Sequence, residues 1–256
     1  MSILGDTWNV CWRELKRFRR QPARILMSIV QPIIWLALLG NMMQAIVNMP
    51  GFPTGGNYLS FMAPGIVVMT TIFGGVFGGL SVVWDRRLGF LNKMLAAPIS
   101  RSSIPIGKMI ASGLVSSLQA TLILFAAMVM GVKIVTGPLG IISIILIAMI
   151  LCLMLSGVSL ALGAVIKSHE TLMVVMNFLT MPLMFTSNSI FPLDLMPEWL
   201  KAIAKVNPIT HTIDPIRTIT TQGWYWDIIL PNVAVIIALT LFVMAIATLL
   251  FRRSIS

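Results

Sequence analysis

Six stretches of almost unbroken apolar residues alternate with short polar interruptions along this chain, at 25–47, 59–83, 109–131, 139–165, 171–191 and 228–250. Each is close to the roughly 20 residues that an α-helix needs to cross a hydrocarbon core about 30 Å thick, so the pattern predicts six transmembrane helices. Ahead of them, Trp8, Cys11, Trp12, Leu15 and Phe18 recur at helical spacing opposite Arg13, Lys16, Arg17 and Arg20. That arrangement predicts an amphipathic interfacial helix over 1–24, with tryptophans at headgroup depth, cations toward anionic lipid and Pro22 as its stop. The predicted fold is an all-α integral membrane protein, with the whole of 1–256 forming one transmembrane domain.

Two interruptions have a pattern of their own. In 84–108, Leu88, Leu91 and Leu95 share one helical face among five cations: Arg86, Arg87, Lys93, Arg101 and Lys108. Gly89 loosens the start of this short helix and Pro98 forbids its continuation past Ala97. A basic amphipathic helix between two spans is placed either to lie in the headgroups or to meet a soluble partner. In 192–227, which carries Pro192, Pro197, Pro208 and Pro215, the apolar positions Trp199, Leu200 and Ile203 are followed by a second helical series, Ile209, Ile213 and Ile216. Two short helices are predicted, either dipping back into the bilayer or lying on its surface. The turn at 132–138, marked by Lys133, Gly137 and Pro138, joins the third and fourth spans.

Composition agrees with this pattern: 57% of the residues are hydrophobic and 10% charged, too few charges to coat a soluble core. Charge then orients the path. The N-terminal segment, the 84–108 loop, Lys167, Arg252 and Arg253 carry fourteen of the eighteen Lys and Arg residues; Lys133, Lys201, Lys205 and Arg217 fall on the other face. The acidic residues split evenly, Asp6, Glu14, Asp85 and Glu170 against Asp194, Glu198, Asp214 and Asp227. The positive-inside rule therefore predicts a multi-pass protein of the cell membrane with both termini cytoplasmic. It also accounts for the net charge of +10 without nucleic acid, for which no basic stripe interleaved with aromatics is present. No cleavable signal peptide is expected, because the first apolar run follows a long charged segment. Cys11 and Cys152 have neither disulfide nor metal spacing.

Inside the spans, Gly74 with Gly78 and Gly75 with Gly79 form small-xxx-small pairs that predict close helix packing. Gln31, Asn41, Gln44, Gln119, Asn177 and Asn188 are polar at membrane depth and should face protein or a cavity. Most read as interhelical hydrogen-bonding partners; Gln31, Asn41, Gln119, Asn177 and Asn188 are the candidates for a substrate path. No span interior carries an ionisable residue, which argues against an ion-coupled secondary carrier. His169 and His211 lie at opposite ends of the predicted topology, so they cannot form an intramembrane catalytic pair.

Two ordered motifs on this topology resemble the type 2 ABC transporter permeases, a family exporting drugs, polysaccharides and lipids. The first is Asp85, Gly89, Leu91, Met94-Leu95, Ala97-Pro98-Ile99-Ser100-Arg101 and Gly107-Lys108; the second is Phe191-Pro192-Leu193, Met196-Pro197, Trp199-Leu200, Asn207-Pro208-Ile209-Thr210-His211 and Arg217. Asn92 departs from the Glu that many members carry there. The resemblance implies a cytoplasmic coupling helix between spans 2 and 3, and a re-entrant hairpin before span 6. Leu88, Leu91, Met94 and Leu95 would form the docking surface for an ABC ATP-binding subunit, with Arg86, Arg87, Gly89, Pro98 and Arg101 around it. It further implies a homodimer or paired permease. No cofactor is expected in this chain: without a GxxxxGK[ST] phosphate loop, ATP and Mg²⁺ belong to the partner subunit, and this chain is not itself an enzyme. Aromatics are sparse in the first two spans (Trp35, Phe61, Phe73, Phe77) and Met, Ile and Leu abundant, favouring a small amphipathic drug or lipid over a polysaccharide or glycolipid substrate.

Overall fold

The computed structural model describes residues 3–42, 58–189 and 192–254, with the side chains of Asn41 and Ser254 outside that set. It is all-helical, and no strand occurs among the described residues. The order is α1 (Ile3–Arg19), α2 (Pro22–Met42), α3 (Tyr58–Arg87), α4 (Phe90–Ala96), α5 (Ser103–Val129), α6 (Gly137–Val165) and α7 (His169–Phe185). A 3₁₀ turn at Leu193–Leu195 then precedes α8 (Glu198–Val206), α9 (Pro208–Thr221) and α10 (Trp226–Ser254).

Five of these, α2, α3, α5, α6 and α10, are long and apolar enough to cross a membrane. The predicted fifth span, 171–191, becomes the 17-residue α7. At 1.5 Å per residue it measures about 26 Å, short of the hydrocarbon thickness. Its end is set by polar side chains that take up its last carbonyls. The Thr186 hydroxyl donates to Pro182 O at 2.8 Å, and that of Ser187 to Met184 O at 2.6 Å. Gln44 and Phe191 lie outside the described residues.

The third helix is the hub. It packs most extensively on α6, because glycines remove the side chains that would hold the backbones apart. A Cβ added at Gly75 would come within 2.6 Å of Leu155 Cβ; at Gly78 and Gly79 it would collide with Ser156 Oγ and the Ser159 carbonyl. The Ser159 hydroxyl closes the seam, donating to Val76 O at 2.6 Å and accepting from Gly79 N at 3.1 Å. At Gly74 the fit is looser: an added Cβ would lie at ordinary contact distance, 3.6 Å from Ser116 Cβ of α5 and 3.7 Å from Cys152 Sγ of α6. Around the seam lies a continuous core of Phe61, Ile66 and Val67 from α3, Ile123 from α5, and Ile144 and Leu151 from α6.

The 192–227 segment is less loop-like than its prolines suggest. Ile209, Ile213, Ile216 and Ile219 of α9 are all buried in that same core. Asn207 starts the helix: its Oδ1 accepts from Ile209 N at 2.9 Å, and Pro208 fills a first-turn position needing no N–H donor. The Asn207 amide also donates to Leu183 O at 2.6 Å, tying α9 to α7. By contrast α8 turns Trp199, Ile203 and Val206 outward along one face, and Trp224 stacks on Trp226 nearby.

Candidate functional site: the basic end

The predicted 84–108 loop is shorter than its charge pattern indicated. Trp84 through Arg87 continue α3, and Ser103 through Lys108 already belong to α5. Between them Gly89, at φ 69°, reverses the chain into α4, and the helix ends at Ala97 just before Pro98. Leu91 is 3% exposed and Met94 is buried, both packed on Val82, Ile104, Leu160 and Phe251, with Leu95 partly buried beside them. This corrects the expected docking surface. Leu91 and Met94 are used inside the chain, where they seat α4 on α3 and join a buried cluster with residues of α5, α6 and α10. The side facing away carries Leu88, at 68% exposed, with Phe90, Asn92 and Lys93; Arg87, Pro98 and Arg101 are exposed as well. The guanidinium of Arg86 is turned inward, donating to Ala164 O at 2.9 Å.

Beneath α4 lies a charge network whose members come from three helices. Lys108 of α5 is 1% exposed, and its ammonium donates to Asp85 at 2.6 Å, Glu14 at 2.7 Å and Ser81 Oγ at 2.9 Å. Asp85 also accepts from Arg13 at 2.6 Å and from Arg17 at 3.3 Å, and Arg13 reaches Glu14. Three cations thus surround two carboxylates, and each buried charge has a partner, as burial demands. Burial alone would raise the Glu14 carboxyl, but the adjacent Lys108 ammonium and Arg13 hold it below its ordinary value. The Arg13 guanidinium lies over the Phe90 ring at 4.5 Å, linking the network to α4.

The network gives two cations of the N-terminal helix a role other than the expected one, while Lys16 and Arg20 stay exposed. Arg13 and Arg17 turn toward Asp85 rather than toward lipid headgroups; Trp8 and Trp12 remain exposed and stack on each other, while Cys11 is buried. Close approach of α1 to α5 is possible because Gly107 has no side chain: a Cβ there would meet Thr7 O at 2.7 Å. Ser100 N donates to Asp6 at 3.3 Å, and Ser103 Oγ to Ile3 O at 3.2 Å. The adjacent Gly107-Lys108 pair therefore serves two purposes, backbone contact and charge pairing.

The five substrate-path candidates do not converge. Gln31 and Asn177 are exposed on the outer surfaces of α2 and α7, and Asn41 falls outside the described side chains. Gln119 is buried against α3, its Oε1 without a hydrogen-bond donor. Asn188 is buried at the far end, where its amide donates to Asp214 and its carbonyl accepts from Arg217 at 2.8 Å. Arg217 also lies over the Phe61 ring at 3.8 Å. The expectation of no ionisable group in the interior holds for the long helices away from their ends. Asp214 and Arg217 lie on α9, outside the spans that expectation concerned, and each bonds to Asn188.

Five helices long and apolar enough to cross a membrane, with a short amphipathic helix at their basic end, suit a multi-pass membrane protein. The chain matches the family model described as ABC-2 type transporter over residues 6–221 and belongs to that family. It is 36% identical over 205 residues to the ycf38 transport permease of Porphyra purpurea, covering 78% of this chain and 68% of the relative. It is 24% identical over 229 residues to the daunorubicin resistance ABC transporter permease protein DrrB1 of Streptomyces coeruleorubidus, covering 89% and 79%. Nodulation protein J of Rhizobium leguminosarum bv. viciae is 25% identical over 217 residues, covering 83% and 82%.

Proposed function

We propose that this chain is the membrane-spanning subunit of an ATP-driven exporter, moving a hydrophobic or amphipathic substrate, drug-like or lipid, across the cell membrane. The observation that carries the reading is the mounting of α4: Leu91 and Met94 seat it on α3 within a buried cluster shared with α5, α6 and α10, while Leu88 and Phe90 are exposed. A force on that outer face passes directly into the bundle. An ABC ATP-binding subunit would dock there, bringing ATP and Mg²⁺, with Arg87 and Arg101 at the rim of the contact. Hydrolysis would belong to that subunit.

On this reading α7 is a short fifth crossing, which gives six spans with both termini on the cytoplasmic side. Two copies, or two related permeases, would pair around the path. The exposed apolar surfaces of α2 and α7, with Gln31 and Asn177 on them, are the faces available for that pairing. The α8–α9 pair would be the re-entrant cap, with Trp199, Trp224 and Trp226 at headgroup depth. The similarity to a daunorubicin resistance permease favours a small amphipathic substrate.

The test is co-purification of an ABC ATP-binding subunit from the native cells in mild detergent. Leu88→Asp combined with Phe90→Asp should release that subunit while the permease still inserts and elutes as a single peak. Retention of the subunit by this variant would refute docking on α4, and finding no such subunit with the unmodified chain would refute the exporter reading.

A further inference from the structure

Where α6 and α10 finish beside α3, they leave a cleft of about 470 Å³ lined by Arg86, Ala164, Val165, Lys167, Leu250 and Arg253. A second hollow of about 560 Å³ shares Arg253 and adds Arg101, Leu249 and Arg252. Among the described residues no acidic side chain lines either one. The end of a helix ordinarily repels anions through its bare carbonyls. Here Arg86 covers the Ala164 carbonyl, and its Nη1 is buried without a protein partner. Above the cations, Phe242, Ile246, Leu249 and Leu250 form an exposed apolar stripe along α10, with Val165 exposed beside it.

We propose that this cleft binds the phosphate-bearing head group of an anionic phospholipid, with an acyl chain lying along the α10 stripe. A cationic floor continuous with an apolar wall suits a molecule having both parts. An acidic protein surface would use the cations and leave the stripe uncovered. Clustered Lys and Arg at a membrane surface attract anionic lipid in this way. The inference rests on the membrane-spanning reading above, and its failure is distinguishable: its test reads bound lipid in the purified chain, whereas that reading is tested by recovery of an ATP-binding subunit.

The experiment is native mass spectrometry of the full chain in mild detergent, titrated separately with phosphatidylglycerol and phosphatidylcholine. The wild-type chain should hold phosphatidylglycerol preferentially. Lys167→Gln and Arg253→Gln should each lower its retention about five-fold, the change equivalent to about 1 kcal/mol per cation. Lys93→Gln, on the exposed side of α4, should leave it unchanged. Equal retention of the two lipids, or unchanged retention in both cleft variants, would overturn the proposal. Displacement of phosphatidylglycerol by millimolar inorganic phosphate would assign the cleft to a soluble anion instead. Loss of the ATP-binding subunit from Lys167→Gln, with lipid retention intact, would make it a protein contact and likewise overturn the inference.

Discussion

Replacing Lys108 by Met removes the one ammonium that bridges α5 to both α1 and α3, and the outcome follows from its contacts. Three hydrogen bonds are lost, to Asp85, Glu14 and Ser81. Removing one partner of a buried ion pair typically costs about 3–5 kcal/mol, because the remaining charge is stranded. Asp85 keeps Arg13 and Arg17, and Glu14 keeps Arg13, so neither carboxylate is abandoned. The expected loss therefore sits near the lower end, about 3 kcal/mol. The assay is thermal unfolding in a fixed detergent, read for the wild type, Lys108→Met, Asp85→Asn and the double variant. Each single variant removes the same Lys108–Asp85 contact and the double variant removes it only once, so its loss should fall short of the summed single losses by about 2 kcal/mol. Strict additivity of the two losses would refute the claim that these groups pair in the folded protein.

Three further outcomes are expected. Gly79→Ala should sharply reduce the yield of monodisperse protein in size-exclusion chromatography, since its Cβ would strike the Ser159 carbonyl, whereas Gly74→Ala, with 3.6 Å to Ser116, should behave as wild type. The Glu14 carboxyl is held below its ordinary value, so its contribution is present above the unfolded-state value and lost as pH falls through the lower folded-state value. Glu14→Gln should therefore lower the melting temperature at pH 7, and the gap from wild type should close only under strongly acidic conditions. Asn207→Ala should cost more than the roughly 1 kcal/mol of a lost helix cap, because the same amide holds α7, and hydrogen exchange should rise at the ends of both helices.

Where local chemistry decides, the sequence reading holds. Gly89 and Pro98 bracket α4 because one tolerates a positive φ and the other cannot continue a helix. The paired glycines of α3 mark its packing face, although periodicity alone did not separate Gly74 from the other three. Failures arise where long-range pairing decides. A leucine stripe announces an apolar face without naming what covers it, so Leu91 and Met94 read as an outward surface though their own chain covers them. Glu14, Asp85 and Lys108 were counted as markers of topology, being separated by up to 94 positions. A hint was available: a carboxylate and an ammonium at facing ends of consecutive spans are expensive to leave unpaired. For α9 the prolines left a helix dipping inward and one lying on the surface both open, and only the packing of its isoleucines puts it in the core.

The turn joining α5 to α6 is fastened to the end of α9: Val135 N donates to Thr220 O at 3.0 Å and the Thr136 hydroxyl to Ile219 O at 2.8 Å. The two ends of α5 therefore engage different machinery, with α4 and the charge network at its start and the α9 helix beyond its finish. Its 27 residues make a rod about 40 Å long. Pivoted near Lys108, a tilt of about 5° would carry the far end, about 32 Å away, roughly 2.8 Å sideways, about half a helical turn. A small rotation at one face of the membrane thus becomes a displacement at the other large enough to unseat a packed isoleucine, by leverage alone.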